Sequence, residues 1–78
     1  MKAIEAFQII EAWLKSKGLS LELFYVISFY STTTEVSLQA HYLGQIMDIM
    51  EGAETNSINN IVWEGKVSDV KVRICLTD

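Results

Sequence analysis

IVWEGKVSDVKVRICL, residues 61–76, is the stretch that decides how this chain folds. With Ser68 and Asp69 as the turn, Val67/Val70, Gly65/Val72, Trp63/Ile74 and Ile61/Leu76 fall opposite one another on one side. Val62/Cys75, Glu64/Arg73 and Lys66/Lys71 fall on the other. A split with a period of two is the mark of an antiparallel hairpin with one face turned to a core. Glu64/Arg73 is a favourable cross-strand pair, whereas the like pair Lys66/Lys71 opposes this register.

The same logic holds upstream. Residues 21–30 are crowded with strand formers and residues 36–42 alternate apolar with polar. A turn at Thr32-Thr33 aligns Leu23/Tyr42, Tyr25/Ala40, Ile27/Leu38 and Phe29/Val36 on one face, and the threonine-rich connection also suits a looser loop of four or five residues. Ahead of this hairpin, Ala3, Ala6, Phe7, Ile10, Trp13 and Leu14 share one helical face over residues 2–17. Gly18 suits the left-handed position that ends such a helix, with Leu19 as its hydrophobic contact. Leu43, Ile46, Met47 and Met50 predict a second helix over residues 43–51, closed by Gly52, and the polar residues 53–60 read as the longest loop.

The order αββαββ predicts one α+β domain spanning residues 1–78, with both helices on one face of a four-stranded, mainly antiparallel sheet. Phe7, Trp13, Ile27, Leu38, Trp63 and Ile74 are expected at the centre of the core. Met47 and Met50 belong to it as well, because they share a helical face with Leu43 and Ile46.

Composition narrows the class. A chain of 78 residues, half of them hydrophobic, with no proline and four glycines, holds one core and little linker. The single cysteine forms no internal disulfide, which argues for a cytoplasmic protein over a small secreted one. Glu5, Gln8 and Glu11 interrupt the N-terminal apolar residues, so no signal peptide or membrane span is expected. The net charge of -4 works against general affinity for nucleic acid.

Catalytic equipment is scarce. One histidine, His41, precludes a multi-histidine metal site within one chain, and a triad needs a base, an orienting group and an oxyanion donor that converge. Cys75 lies between Ile74 and Leu76 and reads as a small buried hydrophobe, with Arg73 as the one nearby charge able to activate it. Asp48, Glu51 and Glu54 cluster around the end of the second helix, but their spacing fits no calcium loop and a solvated helix end explains them. No glycine-rich phosphate loop is present. No enzyme activity, metal or cofactor is expected.

A working surface is suggested by the sheet itself. With the helices on the alternating apolar face, the other face carries Phe24, Val26, Tyr30, His41 and Val62 beside Lys66, Lys71 and Arg73. Aromatic and apolar residues on a wet face mark an interaction site or a face that something else covers. Three readings follow: a non-catalytic protein-binding module or inhibitor joining a larger partner through this face or the acidic patch, a nucleic-acid-binding sheet that stacks bases on Tyr30, Phe24 or His41, and a homo-oligomer. In size, acidity and single-domain organisation the chain resembles the small inhibitors that phages and mobile elements direct against host defence, the anti-CRISPR class among them. The resemblance implies a stoichiometric protein partner and assigns no role to any residue.

Overall fold

The first helix ends as its sequence dictates. In the computed structural model, which describes residues 1–52, 54–57 and 60–77, with residues 54–57 described by their backbone alone, α1 spans Ala3–Ser16. The Leu19 N–H donates to the Leu14 carbonyl at 2.9 Å and the Gly18 N–H to the Lys15 carbonyl at 3.0 Å, with Gly18 at φ +78°. This doubly bonded left-handed cap satisfies carbonyls that the helix leaves free and turns Leu19 back into the core, where it is buried. Ala6, Ile10 and Leu14 form the buried stripe.

Among the described residues five strands follow, with a second short helix between them: β1 (Val26–Tyr30), β2 (Glu35–His41), α2 (Gly44–Met47), β3 (Glu54–Ser57), β4 (Asn60–Val67) and β5 (Val70–Thr77). They form one mixed sheet in the order β1-β2-β5-β4-β3. Every neighbouring pair is antiparallel except β2 with β5. The α+β class and the mainly antiparallel sheet stand as expected. The four expected strands are joined by β3, which occupies part of the segment read as a loop and pairs with β4 through a bulge.

Both hairpin registers are those that the alternation demands. Ile27 faces Leu38 and Phe29 faces Val36 across a four-residue loop, while Trp63 faces Ile74 and Gly65 faces Val72 across Ser68-Asp69. The like pair Lys66↔Lys71 is present too. Both lysines are exposed, so water and salt screen their repulsion and the pair costs little.

The core lies between α1 and the sheet. Val36, Leu38, Val70, Val72, Ile74 and Leu76 are buried on the covered face with Ile10 and Leu14 from the helix and Ile46 and Met50 from the α2 segment. The second helix is shorter than its apolar spacing predicts. After Met47 the bonds tighten, with the Ile49 N–H on the Ile46 carbonyl and the Met50 N–H on the Met47 carbonyl, yet Ile46 and Met50 still reach the core. Phe7, Trp13 and Trp63 pack around that centre rather than within it, and Ile27, on an edge strand, is 37% exposed.

Candidate functional site

Cross-strand pairing arranges the uncovered face in rows. Tyr30, Glu35, Lys71 and Lys66 form one; Ser28, Ser37, Arg73 and Glu64 the next; Val26, Gln39, Cys75 and Val62 a third; His41, Thr77 and Asn60 the last. Of the proposed face residues, Tyr30, His41, Lys66 and Lys71 are exposed, Val26 and Arg73 are half-buried, and Val62 is buried together with Cys75. The Arg73 Nε lies 3.9 Å from a Glu64 carboxylate oxygen, an exposed pair that steadies the middle of the face and adds little stability. Lys66, Lys71 and Arg73 lie among Glu35 and Glu64, so among the described residues this face is slightly basic on an acidic molecule.

Phe24 does not belong to this face. It is only 6% exposed and joins the core. The chain leaves the strand early: Leu21–Leu23 form a 3-10 turn, closed by the Phe24 N–H on the Leu21 carbonyl at 3.1 Å. The inward and outward alternation therefore switches at the start of β1, sending Phe24 in and Tyr25 out. The two side chains sort by chemistry, since a phenyl ring needs no hydrogen bond when buried and a phenol does.

Tyr25 is the residue that sequence reasoning missed. It is 53% exposed, shares a 2.9 Å hydrogen bond between its hydroxyl and that of Thr77, and lays its ring against His41 with centroids 4.9 Å apart. An aromatic corner of Tyr25, His41 and Thr77 thus occupies one end of the open face, and Tyr30, 50% exposed, occupies the other. No local signal marks Tyr25, because both it and Phe24 are good strand formers and only the core site that takes Phe24 distinguishes them.

The parallel β2/β5 pairing also places His41 and Cys75 on neighbouring strands of this face, which nothing in the sequence predicts. Among the described residues no hydrogen bond joins the two, and no group of three His, Cys, Asp or Glu side chains could hold a metal ion. Cys75 is buried and the His41 ring is occupied by Tyr25.

A second feature lies at the rim of the core. The indoles of Trp13 and Trp63 stack with centroids 5.8 Å apart and planes 9° from parallel, and the Trp63 Nε1 donates to the Glu51 carbonyl at 2.9 Å. Gly65 makes room for this stack: a methyl group there would strike the Trp63 ring. A cleft of about 380 Å³ opens beside the pair, lined also by Lys17, Asp48, Ile49, Glu51 and Lys66. Asp48 and Glu51 of the proposed acidic patch therefore sit at one site with two lysines, while the side chain of Glu54 lies outside the described residues. Lys66 belongs both to the open face and to the cleft.

Among the described residues no helix is long and apolar enough to cross a membrane. Comparison with protein-family models, with curated proteins and with solved structures found no match for this chain.

Proposed function

We propose that this chain is a non-catalytic protein-binding module, in its sharpest form a stoichiometric cytoplasmic inhibitor of a larger protein, such as a nucleic-acid-binding host-defence protein. The observation that carries the reading is the asymmetry of the sheet. One face is closed by helices, and the other presents Tyr25 and Tyr30, each half exposed, at either end of a charged field. Half-exposed tyrosines flanked by charge are the side chains that anchor protein interfaces, because they bury a large ring with few rotamers to fix and keep a hydroxyl for a partner's polar group. The class-level likeness to phage and mobile-element inhibitors agrees in size and acidity.

The test is affinity capture from cells of the source organism with nuclease added, run in parallel with a Tyr25→Ser/Tyr30→Ser variant and an Asp48→Asn variant. The proposal expects a stoichiometric protein that survives nuclease, is lost with the tyrosine variant and is kept with the Asp48 variant. Loss with the Asp48 variant instead would move the working surface to the tryptophan cleft. Recovery of nucleic acid alone would favour stacking on Tyr30 beside Lys71 and Lys66, and would overturn the inhibitor reading.

A further inference from the structure

β1 ends the sheet on one side, and the hydrogen bonds around β2 show which of its backbone groups have no partner among the described residues. The Tyr25 N–H donates to the Gln39 carbonyl at 2.9 Å. On the other side of β2, the Thr34 carbonyl accepts from the Lys71 N–H and the Tyr42 N–H donates to the Thr77 carbonyl, both at 2.9 Å. Successive residues of a strand point their backbone groups to opposite sides, so odd-numbered residues of β2 face β1 and even-numbered ones face β5. Glu35, Ser37 and Gln39 lie opposite Tyr30, Ser28 and Val26. Ile27 and Phe29 are therefore the β1 residues whose N–H and C=O groups point away from the sheet.

We propose that this edge is the interface of a symmetric homodimer, in which β1 pairs antiparallel with β1 of a second copy about a two-fold axis at Ser28. In that register Ile27 exchanges hydrogen bonds with Phe29 of the second copy, and Phe29 with its Ile27, so each free backbone group of the edge finds a partner. Val26 then opposes Tyr30, and Ser28 opposes its own copy.

Self-complementarity argues for a second copy as the occupant. The strand VISFY carries no charge and no proline, so a two-fold axis opposes no like charges and loses no donor, and the usual devices that blunt an edge are missing from it. Apolar side chains border it. Ile27 is 37% exposed and Ile4 is 64% exposed. Phe7, one turn after Ile4, meets Phe29 edge-on at 6.3 Å, which brings the N-terminal part of α1 beside this edge. Antiparallel pairing keeps each face on its own side, so the helices of both copies lie together and the two open faces join into one. A five-residue strand with these flanks offers a small interface, at or below the roughly 1,200 Å² that marks the low end of specific ones, so the dimer forms in a concentration-dependent equilibrium. The pairing does not depend on what the open face binds.

Sedimentation equilibrium up to about 1 mM tests it, with Ser28→Lys, Ser28→Asp and an equimolar mixture of the two. The wild type is expected to approach twice the chain mass of 8.8 kDa. Each single variant is expected to shift the equilibrium toward monomer by about fivefold through like-charge apposition, and the mixture to restore the dimer. A monomeric wild type, or a dimer indifferent to both variants, overturns the proposal. Amide exchange in the wild type supplies an independent reading should a variant fail to fold. Ile27 and Phe29 must gain protection as concentration rises, and unchanged exchange at both amides also overturns the pairing.

Discussion

The two faces of the sheet are built from the same strands and do opposite work. On the covered face Val36, Leu38, Val70 and Ile74 have no exposed surface, and their neighbours in the chain, Glu35, Lys71 and Arg73, form the charged field of the open face. The period-two geometry of a strand allows this, because adjacent residues belong to different environments. A substitution on one face therefore reads out in stability, and its neighbour on the other reads out in binding.

That contrast is sharpest at Phe24 and Tyr25. Phe24→Ala is expected to cost about 3–5 kcal/mol, a large part of the stability of a domain this small, because it empties a filled core site. Tyr25→Ser, one residue on, should cost within about 1 kcal/mol, since it removes an exposed ring and one exposed hydrogen bond. Urea unfolding of both measures the difference, and equal losses would mean that the open face is also core.

Gly65→Ala tests the boundary between faces and cleft. The added methyl meets the Trp63 ring, so a loss of about 1–3 kcal/mol is expected together with a change in tryptophan fluorescence as the Trp13 stack is displaced. An unchanged emission spectrum would show that the ring moves without disturbing its partner.

The smallest effects come from the open side and its turns. Thr34 closes the first hairpin at φ +50°, a conformation costly for a β-branched residue, and Thr34→Gly is expected to raise stability by about 1 kcal/mol in thermal or urea melts. A double-mutant cycle on Glu64 and Arg73 should return a coupling of about 0.5 kcal/mol or less. A value several times larger would mark the pair as shielded from water, which the exposed face contradicts.

Much of this was legible from residues alone, and for a definite reason. The registers Ile27↔Leu38 and Trp63↔Ile74, the Gly18 cap and the burial of Ile46 and Met50 all follow from spacing along the chain, where a slip of one residue would turn every apolar side chain to water. The candidate face was partly legible: Tyr30, His41, Lys66, Lys71 and Arg73 lie where alternation puts them. Phe24 and Tyr25 exchanged roles because the 3-10 turn before them interrupts the alternation, and short turns of that kind leave little trace in composition.

Local pattern thus determined the first helix, the two hairpins with their registers and the single apolar face, since those are contacts between residues close in the chain or mirrored across a turn. The tertiary structure alone decided that β2 joins β5 in parallel, that β1 is an edge, and that Trp13 stacks on Trp63. These depend on how two hairpins and a helix share one core, where many arrangements satisfy the same local pattern and the choice rests on total burial.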